Sequence, residues 1–317
     1  MKPSSIVHIS MVIATRDSRK KELLSCLRSI FRSDFSGYEV LVMDNSDSAY
    51  LKETIIFKFP SVRYFSMSNG TGIYALSFGL ANANGQFVVQ LDDDSLVYPD
   101  TLTKVYETFR KKPKSVGILT FEIFDTQTKT YLYRSPNKHN LLDRHNFPTF
   151  SGNGCAFRKS IFSKSGYYDA DFFMYHTEDD LGMRIANAGY FIHLESNIIV
   201  QHLHLNKHTV VYNSYFFFMR NSLWFYLKYF PYKLFPVLAV RLLLHLFYSV
   251  ITRRSLKALL YGLTGILIGL ITCPYAVRKR IRVRSSVLNN YLRYLALDFE
   301  SILQKLEVKN YPALTEK

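Results

Sequence analysis

A chain of 317 residues with 15% aromatic content holds enough apolar mass for one large domain, or one domain with an appendage, and this excludes a disordered protein. Its formal charge of +15 is uneven: residues 211–317 carry 16 Lys and Arg against 4 Asp and Glu, while the first 210 carry 24 against 21. Basic charge threaded through long apolar runs suits an anionic membrane surface, and no zinc-finger, helix-turn-helix or RNA-recognition pattern supports a nucleic-acid partner.

Ile6–Ala14 reads as a first strand. It has the superficial look of a short signal peptide, but it lacks a small-residue cleavage site and runs into Thr15-Arg16-Asp17. A helix follows from Ser18, with Leu23, Leu24, Leu27, Ile30 and Phe31 on one face. Tyr38–Met43 is a second strand ending at Asp44-Asn45, and Val62–Phe65 a short third. Asn69-Gly70-Thr71-Gly72 is a turn, followed by a helix to about Ala83 and a strand over Phe87–Leu91. Alternation at this spacing predicts an α/β fold with a mostly parallel central sheet. The strand ends at Thr15, Asp44 and Asp92 would then line one edge, where open α/β sheets bind their ligands.

Beyond Asp94 the pattern predicts a helix from Pro99 to about Lys112, a strand over Val116–Phe124 and a loop-like stretch over 125–150. Within that stretch Tyr131–Arg134 could form an edge strand. Ser151-Gly152-Asn153-Gly154 is a small-residue turn leading into a strand and short helix over Ala156–Lys164. Asp179–Ala188 reads as a helix closed by Gly189, and Phe191–Val200 as the last strand, with His202 and His204 just past it. After about residue 210 two apolar runs, Leu234–Ile251 and Leu256–Val277, are long enough to span a bilayer. Arg241 inside the first is costly at a bilayer centre. Helices lying on or dipping into the membrane interface are therefore the preferred reading, with a two-span hairpin or a soluble bundle as alternatives. The basic flank Arg278–Arg284 would meet anionic headgroups. Cys26, Cys155 and Cys273 are odd in number and far apart, which predicts no disulfide framework and favours a reducing cytoplasm.

The most chemical stretch is Phe87–Leu91 running into Asp92-Asp93-Asp94. Three carboxylates at the end of a buried strand repel one another unless a cation sits there. A divalent metal holding a nucleotide diphosphate is one reading, and a solvated acidic turn before a helix is the other. The Glu178-Asp179-Asp180 cluster opens a helix, where acids are favourable through the macrodipole alone.

Taken in order, Val12–Arg16, Val42–Ser46, Asn69–Gly72, Leu91–Asp94, Ser151–Gly154 and Phe172–Arg184 resemble the inverting family 2 glycosyltransferases over roughly the first 210 positions. The aromatic, basic tail with Tyr215 and Met219-Arg220-Asn221 is similar to members that build bacterial surface polysaccharides. The resemblance implies a nucleotide-sugar-binding GT-A-type domain over 1–210 and a helical membrane-associating region over 211–317. It also implies a nucleotide pocket from Thr15, Arg16, Asp44, Asn69, Gly72 and Asp92. Asp92 and Asp94 would hold Mg²⁺ or Mn²⁺, with Asp93 turned elsewhere and His202 as a further ligand. Gly152, Asn153, Gly154 and Asp180 would lie near donor or acceptor sugars. The general base is left between Glu178 and Asp179, with Glu178 preferred, because Thr177 replaces an acid that commonly precedes it. The implied reaction moves one sugar from a nucleoside diphosphate, UDP or dTDP foremost, to a lipid-linked or growing glycan at the cytoplasmic membrane face. Two rivals fit parts of the chain. A sugar-phosphate nucleotidyltransferase would need a Gly-rich phosphate loop that Thr15-Arg16-Asp17 does not supply, and a non-catalytic membrane adaptor would have no use for Asp92, Asp94 and Glu178.

Overall fold

The computed structural model describes residues 6–46, 49–67, 71–134, 142–203 and 212–305. Asn69, Gly70 and His204, all singled out above, lie outside the described residues. The chain divides into two compact units, Met1–Val210 and Val211–Lys317.

In the first unit β1 (Ile9–Thr15) is apolar and almost wholly buried, so it takes a central place in the sheet. A helical turn at Asp17–Arg19 leads into α1 (Lys20–Ile30), which buries Leu23, Cys26, Leu27 and Ile30 at the spacing of one helix face. β2 (Tyr38–Asp44), α2 (Ala49–Lys58), β3 (Arg63–Ser66), α3 (Tyr74–Asn82) and β4 (Phe87–Asp92) follow. The order β3-β2-β1-β4 is parallel throughout, with Thr15 beside Asp44 and Ala14 beside Asp92. The three strand ends therefore share one edge.

The remaining elements are β5 (Ser95–Val97), α4 (Thr101–Lys111), β6 (Val116–Asp125), β7 (Thr130–Tyr131), β8 (Gly154–Arg158), α5 (Phe162–Ser165), α6 (Thr177–Asn187) and β9 (Phe191–His202). Here the predicted parallel sheet gives way to a mixed one. β8 runs antiparallel to both β4 and β6, β5 antiparallel to β9, and β7 antiparallel to β6, whereas β6 and β9 are parallel. Among the described residues, β8 is thus the strand that breaks the parallel run by entering between β4 and β6. Among the described residues nine strands form one sheet, in the order β3-β2-β1-β4-β8-β6-β9-β5, with β7 beside β6. Only Asp93 and Asp94 join β4 to β5, yet four strand spacings separate the two, about 19 Å in a flat sheet. Two residues reach about 10 Å at most, so the sheet curls on itself and carries the end of β9 to the end of β4.

In the second unit α7 (Asn213–Tyr229), α8 (Phe235–Arg253), α9 (Leu256–Ile271), α10 (Cys273–Arg278) and α11 (Ser285–Lys305) follow in turn. α7 and α9 approach closely at Gly265, where a Cβ would strike the Phe216 carbonyl oxygen. Arg241 is accommodated by donating to Tyr226 Oη at 2.9 Å. The second apolar run is broken at Thr272, where α9 ends and α10 begins. Its 16 helical residues rise about 24 Å, short of the roughly 30 Å hydrocarbon core. Among the described residues one helix, Tyr232–Ile251 with mean hydropathy 2.0, is long and apolar enough to cross a membrane, rather than the two that a hairpin needs. Val237, Val240, Leu243 and Phe247 on α8, and Leu260, Leu263 and Leu267 on α9, present exposed apolar rows. Cys26 and Cys155 are buried thiols, and none of the three cysteines is paired.

Candidate active site

The curl of the sheet builds the first cluster. β5 pairs with β9 so that Ser95 stands opposite His202, and Leu203 N donates to the Asp94 carbonyl at 3.0 Å. His202 Nε2 lies 3.1 Å from Asp94 Oδ1 although 108 residues separate the two. One ligand atom each from Asp92, Asp94 and His202 fall within 4.8 Å of one another. Two carboxylate oxygens and an imidazole nitrogen fit a hard divalent cation of the Mg²⁺ or Mn²⁺ kind.

The electrostatics of the cluster support that fit. Burial, together with the charges of Asp94 and Asp93, pushes Asp92 up to about 7, against the opposing pull of His202. Burial also acts to raise Asp94, but His202 and Arg19 overcome it and hold Asp94 at about 2. Burial would lower His202, and Asp94 and Asp92 instead raise it. A divalent cation would offset the same carboxylate charges that raise Asp92 and His202.

Arg19 was not legible as a site residue. It closes the helical turn between β1 and α1, and its NH2 lies 2.5 Å from Asp94 Oδ2 and 3.0 Å from Asp93 Oδ1. Burial acts against its charge, yet Asp93 and Asp94 leave its pKa raised. Thr15 Oγ1 donates to the other oxygen of Asp93 at 2.8 Å. Asp93 is thus turned to Thr15 and Arg19 and lies outside the three-residue group.

The remaining predicted nucleotide residues among those described lie around the neighbouring strand ends and the loop before α6. Arg16 is exposed just after β1. Asp44 is 1% exposed and already accepts from Ser46 N at 3.0 Å, from Ser46 Oγ and from Tyr64 Oη, so it closes a turn as well as ending a strand. Gly72 has φ +51, and a Cβ there would strike the Phe173 ring at 2.5 Å. Its place is therefore beneath the loop before α6, where Ile73 N also donates to the Phe173 carbonyl at 3.2 Å.

That loop aims the acids of α6. Phe173, Tyr175 and His176 all have positive φ, at 62°, 62° and 57°, a conformation that costs energy in non-glycine residues and persists only where the surroundings impose it. It delivers Glu178 to the first turn of α6, against the Ser151–Gly154 turn. A Cβ at Gly152 would come within 2.5 Å of Glu178 Oε1 and 3.3 Å of Gln90 Nε2. Gln90 lies two residues before Asp92 on the same face of β4. Its Nε2 donates to the Gly152 carbonyl at 3.3 Å, and its Oε1 accepts from the buried Tyr168 Oη at 2.8 Å. Asn153 is fixed by Ser95 Oγ, which donates to its carbonyl at 2.8 Å. Gly154 pairs with Leu91 in the ladder between β4 and β8. Burial raises the Glu178 carboxyl, while Thr177 Oγ1, donating to Oε2 at 2.6 Å, opposes the shift.

Asp179 and Asp180 have other engagements. Asp179 accepts from Thr149 Oγ1 at 2.8 Å and faces His176 Nδ1 at 2.9 Å. Asp180 is not brought to the Gly152 turn. Its fully buried carboxylate meets Arg184 Nε at 3.0 Å and NH2 at 2.9 Å, and Arg184 in turn donates to the carbonyls of Ser165 and Tyr167.

Two variants test these placements. Gly152→Ala drives a methyl into the far end of Glu178, so turnover at this site is expected to fall at least tenfold, a barrier change of about 1.4 kcal/mol, with the thermal midpoint little changed. Steady-state rates alongside melting curves check it. Asp180→Asn removes the fully buried carboxylate charge that meets Arg184 and is expected to cost about 3–5 kcal/mol of stability in urea unfolding.

Residues 10–166 match the sequence model described as Glycosyl transferase family 2. The uncharacterized glycosyltransferase YwdF of Bacillus subtilis (strain 168) is 23% identical over 172 residues, 51% of this chain and 62% of its own length. The dolichyl N-acetyl-alpha-D-glucosaminyl phosphate 3-beta-D-2,3-diacetamido-2,3-dideoxy-beta-D-glucuronosyltransferase of Methanococcus voltae is 25% identical over 121 residues, 35% of this chain and 37% of its own length. The chain thus spans less than two thirds of either curated relative. Among solved structures, the mannosyltransferase PcManGT from Pyrobaculum calidifontis, in complex with GDP-Man and Mn²⁺, superposes with a TM-score of 0.57 over 94% of this chain and 89% of its own, at 17% identity. A likeness at that identity speaks for the fold alone.

Proposed function

Because the chain belongs to glycosyl transferase family 2, we propose that it moves one sugar from a nucleoside-diphosphate donor to an acceptor hydroxyl by a single inverting displacement. The observation that carries this reading is the meeting, at one sheet edge, of a cation-fitting group with a carboxylate raised by burial: Asp92, Asp94 and His202 beside Glu178 over Gly152.

Glu178 acts as the general base. It takes the proton of the acceptor hydroxyl as that oxygen attacks the anomeric carbon from the side opposite the departing diphosphate. Asp179, held by Thr149 and His176, fixes the turn from which Glu178 reaches. Asp92, Asp94 and His202 would hold Mg²⁺ or Mn²⁺, which when bound neutralises charge on the leaving diphosphate. Arg19 and Thr15 keep Asp93 and Asp94 in place at the end of β4. The nucleotide lies along the strand ends, over Asp44 and past Arg16. Gly152-Asn153-Gly154 forms the floor under the two sugars, its lack of side-chain bulk leaving room for Glu178.

The acceptor is a growing or lipid-linked glycan in the building of a cell-surface polysaccharide, and the enzyme works at the cytoplasmic membrane face. The exposed apolar rows of α8 and α9 and the cations of 278–284 support this placement. The Methanococcus voltae relative, named for a dolichyl phosphate-linked sugar, supports the acceptor class.

Calorimetric titration with UDP, GDP and dTDP, each with and without Mn²⁺, tests the donor site. Binding of one of them only in the presence of the ion is the expected result. A folded sample that binds none of the three would leave the chain as a non-catalytic member of its family.

A further inference from the structure

At the other end of β4 and β8 lies a cavity of ≈ 820 Å³, lined by Gln86, Phe87, Lys114, Arg158, Lys159, Ser160, Phe162, Ser163, Tyr167 and Tyr190. Phe87 stands opposite Arg158 in the sheet, and the five steps along the strand from Phe87 to Asp92 rise about 16 Å, so the cavity is separate from the catalytic edge. Its size is that of a ligand pocket.

The lining is one-sided in charge. Three of its ten residues are cationic and none is acidic. Arg158 is 9% exposed and stacks over Phe87 and Phe109. Main-chain carbonyls alone hold it: Nε donates to Val116 at 2.9 Å, and NH2 to Phe109, to Lys112 at 3.0 Å and to Pro113 at 3.5 Å. NH1 has no hydrogen-bond partner among the described residues. The guanidinium is thus rigidly fixed on carbonyls at the C-terminal end of α4 and just beyond it, and with no carboxylate partner among the described residues its charge is open to an anion in the cavity. Burial alone lowers its pKa, with no acid to offset the effect. Lys114 and Lys159 add charge at the rim, and Ser160 and Ser163 add hydroxyls. Tyr167 and Tyr190 supply ring faces and phenol groups of the kind that flank a sugar ring.

We propose that this cavity is a second ligand site, which binds an anionic saccharide, with the acidic group on Arg158 and Lys114 and the ring between Tyr167 and Tyr190. The choice of a saccharide rests on the glycan-building reading above. The site itself stands on the cavity and its charge.

The test is calorimetric titration of the full chain with glucuronate, glucose 1-phosphate, glucose and inorganic phosphate. Arg158→Met would also cut four carbonyl contacts, so the informative variants are Lys114→Glu and Tyr190→Phe, with the Asp92→Asn plus Asp94→Asn protein as control. The expected result is binding of at least one of the two acidic sugars, more tightly than glucose or inorganic phosphate. The better of the two then identifies the anion as carboxylate or phosphate. Lys114→Glu should weaken it at least about tenfold, Tyr190→Phe less, and the aspartate variant not at all. Such binding in a protein that takes up no nucleotide would uphold this site while removing the donor-site reading. The proposal fails if neither acidic sugar binds, or if inorganic phosphate binds as tightly as the better of the two. It fails equally if binding ignores Lys114→Glu and vanishes in the aspartate variant.

Discussion

Replacing Asp92 and Asp94 together by Asn is expected to abolish Mn²⁺ binding and to lower sugar transfer on the order of 10³-fold or more, since several kcal/mol of leaving-group stabilisation would be lost. The two single variants should part company in the metal-free protein. Asp92 has a folded pKa of about 7, above its unfolded value near 3.9, so its ionisation destabilises the native state increasingly as pH rises through that window. Asp94 sits at about 2, below its unfolded value, so its ionised form contributes stability that is fully present above about pH 4 and is lost as pH falls towards 2. At pH 7.5, then, Asp92→Asn should raise the thermal midpoint and Asp94→Asn should lower it, because the latter strips Arg19 and His202 of their shared anion. Melting curves without metal, set beside Mn²⁺ titrations, decide the matter. Equal and small shifts in both singles, with Mn²⁺ affinity retained, would show that the cluster is only an acidic turn.

The parallel half of the sheet could be read from the chain because its apolar strands recur at crossover spacing and the first is followed by a clearly helix-period segment with Leu23, Leu27 and Ile30 on one face. The strand ends at Thr15, Asp44 and Asp92 align as expected for the same reason. The antiparallel half could not. β5 is three residues long and reads as the lead-in to α4, yet its pairing with β9 is what sets His202 against Asp94. α2 was missed because Ala49–Lys58 shows almost no helical segregation of apolar from polar residues. Arg19 gave no signal as a site residue, since nothing local ties it to carboxylates 74 and 75 residues away. Asp180 shows the opposite limit. An acid followed four residues later by Arg184 is a helix-internal ion-pair spacing, and burial turned that pair inward beneath α5. Gly152 was legible as a turn, but its steric reason, the carboxylate of Glu178 resting on it, exists only once the two segments meet.

Glu178→Gln is expected to lower kcat by about 10²–10⁴-fold, the usual worth of a general base, while leaving nucleotide and Mn²⁺ affinity unchanged. Two effects compete at this carboxylate. The N-terminus of α6 favours its ionised form. Burial disfavours it, and burial prevails over the Thr177 hydroxyl as well, so the pKa is raised. A base must be deprotonated to act, so kcat/KM should fall as pH drops through a limb lying above the ordinary glutamate range near 4.3. Glu178→Asp, with a shorter reach but the same chemistry, should recover part of the rate and keep such a limb, whereas Glu178→Gln should lose it. Asp179→Asn provides the contrast. Its two oxygens are held by Thr149 and His176, so the variant should loosen the strained turn at Tyr175 and His176, cost a smaller factor in kcat and leave the acid limb in place. If instead Asp179→Asn removes the limb and Glu178→Gln retains most of the rate, the base is Asp179, and the raised Glu178 carboxyl serves the acceptor pocket as a hydrogen-bonding group.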